Sequence, residues 1–130
     1  MGRTAALAAA SLLLGSAAHA ALPPEAYDEA RREAPNLIVF DVLRVKTPVL
    51  RSFGRCRVEG RVIRSERGAL YAAGDRFRLD VPCMKPGARV PTGATMWQDM
   101  AALKRSAHGR AYLDARGKLA MGQYDLYDLR

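Results

Sequence analysis

Residues 54–68, GRCRVEGRVIRSERG, and residues 76–83, RFRLDVPC, decide the fold class of this chain. Apolar and charged residues alternate in both stretches, and a period of two is typical of strands with one buried and one solvated face. The turn-forming residues 72–75, AAGD, lie between them, which predicts two strands with one shared core face. The predicted buried side chains are Cys56, Val58, Val62, Phe77, Leu79, Val81 and Cys83.

The first 20 residues have the three regions of a secretory signal peptide. A basic start that includes Arg3 precedes an apolar run over residues 5–14, and the sequence AHA at residues 18–20 fits the A-x-A cleavage pattern. That run is about half of the roughly 20 residues that a membrane-spanning helix needs. We therefore predict cleavage after Ala20 and one exported domain over residues 21–130, periplasmic or extracellular, without a transmembrane segment.

The chain has two cysteines, Cys56 and Cys83, and both fall on the predicted buried face. No C-x-x-C motif is present, and an even number of cysteines in an exported chain predicts one disulfide rather than a metal or redox centre. Closing a loop of this size stabilises a fold by roughly 3 to 4 kcal/mol in the chain-entropy model. For a small domain, that is a large share of the total stability.

Placing Cys56 directly opposite Cys83 predicts the register of the two strands. This register keeps the apolar side chains together, but it sets like charges opposite each other on the outer face, in the pairs Glu59–Asp80 and Arg61–Arg78. Such pairs cost about 0.2 to 1 kcal/mol each, which is less than the disulfide contributes, so we expect this register. A β-bulge at Gly60 is the alternative that would shift it.

Two elements precede these strands. Residues 25–34 carry acids early and Arg31 and Arg32 late, which complements a helix dipole, and their few apolar positions predict a surface helix that ends at Pro35. Residues 36–50 are rich in β-branched and bulky apolar residues and predict a strand with its limit near Pro48.

A loop over residues 84–94 and a second helix over residues 95–106 follow. Thr95 as N-cap and Gln98 three residues later match a capping box, and Gly109 is the expected stop. A stripe of Met and Leu at helical spacing is typical of core packing. The expected core residues are Met96, Met100, Leu103 and Ala107, with Trp97 at the edge.

Three strands, a helix and two strands, the last two over residues 110–115 and 118–126, make up residues 36–127. This order resembles the OB-fold, a five-stranded small barrel with a helix between its third and fourth strands. The resemblance implies a mainly β domain that binds a ligand on strands two and three or the loops beside them. Exported netrin-like inhibitor modules are of OB type, but the chain lacks their several-cysteine pattern.

The charge of the chain points to an acidic ligand. The chain has 21 Lys and Arg residues against 13 Asp and Glu, and loss of Arg3 with the signal leaves a net charge of +7. An anionic glycan, an anionic lipid or an oligonucleotide would suit a basic face on strands two and three. A solvated basic surface without a ligand is the alternative interpretation. The predicted ligand-binding residues are Arg55, Arg57, Arg61, Arg76 and Arg78.

Groups for catalysis are scarce in residues 21–130. His108 is the single histidine, and the serines Ser52, Ser65 and Ser106 form no recognisable triad with it. Ser106 and His108 are expected at a helix end, with side chains that point apart. Neither a zinc motif nor a phosphate loop nor an EF-hand pattern occurs, so we expect a non-enzymatic binding module without metal or cofactor.

Two other functions fit the sequence. The first is an envelope protein that joins a protein partner through an exposed strand edge or through Tyr124, Leu126 and Tyr127. The second is a small hydrolase that uses His108 or a carboxylate pair such as Asp125 and Asp128.

Overall fold

A single six-stranded sheet, curled into a half-barrel, forms the body of the computed structural model, which describes residues 22–129. The predicted signal peptide and its cleavage after Ala20 lie outside the described residues. The elements are α1 (Pro24–Glu33), β1 (Asn36–Lys46), β2 (Phe53–Arg67), β3 (Arg76–Met84), β4 (Gln98–Asp99), α2 (Met100–Arg105), β5 (Ser106–Leu113) and β6 (Leu119–Leu129).

The strand order in the sheet is β4-β3-β2-β1-β5-β6. All neighbours are antiparallel except β3 and β4. The predicted mainly β class is confirmed, but the predicted number of five strands is wrong. Residues 98–99 add a sixth, very short strand because the chain runs parallel to the end of β3 before it enters α2. Neither helix of the described range has the length and apolar character to cross a membrane.

The predicted disulfide between Cys56 and Cys83 is confirmed, with Cα atoms 5.8 Å apart, but the predicted register is wrong by two residues. Cys83 lies opposite Gly54, and Cys56 lies opposite Val81, so the disulfide joins diagonal neighbours. A shift of two residues keeps the same side chains on the core face. It pairs opposite charges on the outer face at Arg57–Asp80 and Glu59–Arg78 and leaves one like-charge pair at Arg61–Arg76.

The pairing of β1 with β2 contributes to the curl of the sheet, as does a register shift between β5 and β6. The register of β1 with β2 shifts three times, and each shift leaves one residue without a direct partner: Leu43 on β1, and Ile63 and Glu66 on β2. Such β-bulges bend the strand and increase its twist. The alternative of a bulge at Gly60 is not seen against β3, where Gly60 pairs with Phe77 in a regular ladder.

Phe40 lies at the centre of the core. Its ring packs edge to face on Phe77 and on Tyr124, with centroid distances of 4.6 and 5.7 Å. Gly109, predicted as the stop of a helix, lies in β5 instead, and a Cβ there would approach the Phe40 ring to 2.6 Å. The glycine therefore makes room for the central ring. All seven side chains predicted to be inside β2 and β3 are buried.

Helix α2 is shorter than predicted because its N-cap is Asp99 and not Thr95. The Asp99 carboxylate accepts hydrogen bonds from the backbone N–H groups of Ala101 and Ala102 at 2.8 and 3.4 Å, which satisfies donors of the first turn. The Gln98 side chain donates to a backbone carbonyl of β6 instead of completing a capping box. Of the predicted core residues, Met100 and Leu103 are buried, Ala107 is half-buried and Met96 is exposed.

Candidate anion-binding site

The five predicted arginines lie together on the outer side of β2 and β3, and we call them the basic face: Arg55, Arg57, Arg61, Arg76 and Arg78. All five are exposed. They alternate with core residues, so Arg55 and Arg57 on β2, like Arg76 and Arg78 on β3, are about 6.6 Å apart along the strand, and Arg61 lies about 13 Å beyond Arg57. Within residues 22–129, none of the five guanidinium groups has an ion pair or a side-chain hydrogen bond.

A cleft of about 520 Å³ adjoins the basic face, between β3 and the hairpin of β5 and β6. Three of the five arginines line it, and the hairpin adds Arg116 and Lys118. Asp80 is the one acidic residue in this lining. The wall also has an apolar part, formed by Tyr71, Leu79, Pro82 and Leu119. The cleft therefore combines five cations and one carboxylate with apolar surface.

The hairpin turn that carries the two additional cations is organised by Asp114. Its carboxylate accepts hydrogen bonds from the backbone N–H groups of Arg116 and Lys118 at 2.8 and 3.0 Å. These hydrogen bonds lower the pKa of Asp114 below its usual value, and the bond from Lys118 has the largest effect. Gly117 has a φ of +84°, a left-handed conformation that suits glycine. The turn thus has a defined shape at the wall of the cleft.

The cleft follows an open seam of the half-barrel. In the described part of the chain, β3 and β6 are not hydrogen-bonded neighbours, and β4 pairs only with Cys83 and Met84 at the end of β3. Pro82 fits this arrangement, since a residue without a backbone N–H is tolerated on an edge strand. Most of the outer edge of β3 therefore faces the cleft without a neighbouring strand.

A second group of basic side chains, which we call the bonded face, comes from α1, the end of β2, and β5: Arg31, Arg67, His108 and Arg110. Arg110 on β5 donates three hydrogen bonds to the two carboxylate oxygens of Glu66, at 2.7, 3.0 and 3.1 Å. The bonds to Glu66 raise the pKa of Arg110 above its ordinary value. Its guanidinium also lies 5.6 Å from the centroid of the Tyr127 ring, so this arginine is held by its neighbours.

Arg31 and Arg67 connect helix α1 to the sheet. Arg31 donates to Gln123 at 2.6 Å and to Asp125 at 3.1 Å, and it lies over the ring of Tyr112. Arg67 donates to the carbonyls of Arg31 and Arg32 at the end of α1 and, at 2.7 Å, to that of the C-cap residue Ala34. Carbonyl groups at a helix end otherwise lack partners, so both arginines have structural roles.

His108 lies in β5 and not at the predicted helix end. Its Nε2 is 2.9 Å from a carboxylate oxygen of Asp41, and its Nδ1 is 2.9 Å from one of Asp128. Ser106 is buried, and its hydroxyl donates to the carbonyl of Leu103. Because carboxylates occupy both ring nitrogens and the neighbouring hydroxyl bonds elsewhere, this arrangement lacks the nucleophile and base contact of a hydrolase triad.

The other residues named for the two alternative functions have different surroundings from those that the functions require. Asp125 pairs with Arg31, so Asp125 and Asp128 have separate partners instead of forming a carboxylate pair. Tyr124, predicted for contact with a partner, is 4% exposed, and burial raises the pKa of its phenol well above the usual value. Leu126 packs against the core, and Tyr127 is half-buried with Arg110 over its ring. Of the three, Tyr124 is therefore not accessible for a partner contact.

Among residues 22–129, no group of three or more His, Cys, Asp or Glu side chains has the arrangement of a metal site. Compared with known protein families, curated proteins and solved structures, the chain shows no significant match. Sequence reasoning missed Tyr71, in the connection between β2 and β3, and also Arg116 and Lys118, which are distant in sequence from the basic face. The cations on both sides of Gly117 were the available signal, since a tight turn presents its side chains outward.

Proposed function

We propose that this protein is an exported, non-enzymatic binding module that takes an anionic ligand through the basic face and the adjoining cleft. The observation that carries the proposal is that the five arginines have no internal partner within the described residues. An unpaired guanidinium keeps its hydrogen-bond donors for a carboxylate, sulfate or phosphate group. A ligand then forms charge-assisted hydrogen bonds without displacing an internal carboxylate.

The arrangement of strands supports the likeness to an OB-type barrel. The five longer strands lie in the order β3-β2-β1-β5-β6, and α2 lies between the third and fourth of them along the chain. OB-type barrels bind ligands on strands two and three and with the loops beside them. The basic face and the hairpin turn of the cleft correspond to those two regions, although a fold alone does not determine function.

Export is part of the proposal. The predicted signal peptide directs the domain to the periplasm or the cell exterior, and a disulfide such as Cys56–Cys83 persists in an oxidising compartment. Anionic glycans and anionic lipid headgroups are the ligands of suitable chemistry at a cell envelope. An oligonucleotide has the same row of anions and is the third class to test.

A salt-dependent binding screen tests the proposal. The probes are a sulfated oligosaccharide, a vesicle with anionic lipid and a single-stranded oligonucleotide, each at roughly 50 and 200 mM salt. We expect binding to at least one probe, with affinity that falls as salt increases, because the contacts are between charges. Absence of binding to all three at the lower salt concentration would refute the proposal.

A pair of variants with equal charge separates the basic face from the net charge. The double substitution Arg57→Gln and Arg78→Gln removes two cations that line the cleft and should weaken binding by about tenfold or more, since hydrogen bonds to charged groups contribute about 1.5 to 3 kcal/mol. The control, Arg89→Gln with Arg105→Gln, removes two exposed cations elsewhere and should change affinity by less than about threefold. Equal losses in the two doubles would mean that only overall charge matters.

A protein partner is the second candidate function, favoured by the outer edge of β3. An extended segment of another protein adds to such an edge through backbone hydrogen bonds, which salt screens less than surface charge pairs. Affinity capture from the cell envelope distinguishes the candidates. A stoichiometric protein retained at high salt would favour strand addition, whereas release of all bound material by salt would favour the anionic ligand.

A further inference from the structure

The turn between β1 and β2 exposes two adjacent apolar side chains. Val49 is 82% exposed and Leu50 is 98% exposed, the highest values among the large apolar residues of the described range. Isolated apolar residues are common on protein surfaces, but two adjacent ones at the end of a hairpin form a protruding apolar point. We call Val49 and Leu50 the apolar tip.

The side chain of Leu50 does not stabilise the fold. Its backbone has a φ of +60°, a left-handed conformation that disfavours residues with a Cβ and suits glycine or asparagine. Its side chain is almost fully in water. A bulky apolar residue at this position therefore opposes folding slightly and gains no packing, which points to a contact outside the molecule.

The turn holds the apolar tip in a defined position. Pro48 lies against Gly54, where an added Cβ would be 2.9 Å from the proline ring. At the other side of the turn, the carbonyl of Ser52 accepts a hydrogen bond of 2.7 Å from the backbone N–H of Lys85. Because the turn is braced at both ends, little conformational entropy would be lost when the tip enters an apolar medium.

Cations surround the apolar tip. Arg51 follows it directly, and Lys85 and Lys104 line a small depression of about 220 Å³ beside Thr47 at the base of the turn. All three are exposed and have no ion pair with another residue of 22–129. The neighbouring acid, Asp99, accepts the first amide hydrogen bonds of α2. The surroundings of the tip are therefore basic.

We infer that the apolar tip docks the protein on an anionic lipid surface. A convex apolar point enters the boundary between headgroups and acyl chains, while flanking lysine and arginine side chains remain at the headgroups. Each cation near an anionic leaflet adds attraction. A polysaccharide or an oligonucleotide would use the cations but would leave the two apolar side chains in water. The inference does not depend on a ligand at the basic face.

Vesicle binding by the exported protein, with its N-terminus read by mass spectrometry, tests this inference. The probes are vesicles of pure zwitterionic lipid and vesicles in which about one third of the lipid is anionic. We expect binding to the anionic vesicles at physiological salt and about tenfold weaker binding for Val49→Ser with Leu50→Ser, which leaves every charge in place. The control is Ile63→Ser, another exposed apolar residue, with an expected change of less than twofold.

Two additional variants distinguish docking from damage to the fold. Leu50→Gly relieves the left-handed backbone and should leave the thermal midpoint equal or higher while vesicle binding decreases about threefold or more. Leu50→Trp in a Trp97→Phe background should show a blue shift of fluorescence with anionic vesicles only. Unchanged vesicle binding in the Val49→Ser and Leu50→Ser double, or no binding of the unmodified protein, would overturn the inference. The basic-face double, tested with the sulfated oligosaccharide, reports separately on the proposed function.

Discussion

The basic face and the bonded face contain the same kind of side chain but differ in whether its charge has an internal partner. Arg110 in the bonded face meets Glu66 and a tyrosine ring, whereas Arg57 in the basic face lies opposite Asp80 on the neighbouring strand without an ion pair. The bonded face uses its cations to hold α1, β2, β5 and β6 together. The number of arginines on a surface therefore says little about binding until their partners are known.

Removal of the disulfide is the change that should affect the molecule most. Cys56→Ala with Cys83→Ala releases the connection between β2 and β3, the two strands of the basic face. We expect a loss of about 3 to 4 kcal/mol in the free energy of unfolding, since the closed loop spans a sequence separation of 27. Denaturant unfolding measures this loss. Because the loss comes from the unfolded chain, hydrogen exchange of the core amides should accelerate in all long strands. Acceleration confined to β2 and β3 would contradict this and would mean that the disulfide restrains local opening.

A matched pair of single substitutions tests the comparison directly. Arg110→Gln breaks a two-oxygen contact between partly buried partners, and we expect it to lower the free energy of unfolding by about 1 to 2 kcal/mol. Arg57→Gln removes an exposed cation that has no ion pair within residues 22–129, so we expect a change within about 0.5 kcal/mol. Binding of the anionic probe should respond in the reverse order. Similar stability losses for the two variants would mean that the faces do not differ as described.

Glu59 is an acidic residue among the basic side chains of β2 and β3, so its removal tests how charge there affects stability and binding. It lies opposite Arg78 on one side and Arg44 on the other, and its carboxylate is 4.0 Å from the amine of Lys46. Glu59→Gln should reduce stability by about 0.2 to 1 kcal/mol and should strengthen binding of the anionic probe. A gain in stability would instead favour the register in which Glu59 faces Asp80.

Much of the fold was predictable because the alternation in β2 and β3 is regular. The register was not, for a reason that the disulfide makes clear. Direct cross-strand neighbours have Cα atoms about 4.5 to 5.5 Å apart, and the diagonal pair Cys56 and Cys83 is 5.8 Å apart. Both distances are within the range that a disulfide spans, so the bond is compatible with either register. The charge pairs on the outer face contribute less free energy than the disulfide. They nevertheless decide the register, because they differ between the two registers and the disulfide does not.

The second helix shows a different limit. Thr95 with Gln98 and Asp99 alone are both acceptable starts in sequence. The choice between these two N-caps depends on the segment before the helix, which pairs with the end of β3. That pairing joins residues on the two sides of the loop over residues 84–94, so it is not visible in the local sequence. The prediction of a helix stop at Gly109 has the same limit. Glycine is needed there because of the ring of Phe40, which is distant in sequence.

The candidate site was predictable only where it lies on a single strand pair. The basic face follows from the period of two, which places alternate arginines on the outer side of β2 and β3. The cleft required the curl of the whole sheet, which brings Arg116 and Lys118 near Arg78. The partners of Arg31 and Arg110 also come from distant segments, and the sequence therefore could not separate bonded arginines from unpaired ones.

The β-bulges at Leu43, Ile63 and Glu66 have a consequence for changes in chain length. In a regular strand, loss of one residue turns every later side chain to the opposite face of the sheet. At a bulge, the extra residue can be deleted and the pairing on both sides keeps its alternation, with some loss of curl. The β1–β2 pair is therefore a part of this sheet in which single-residue insertions and deletions can accumulate while Cys56 and the residues around it stay inside.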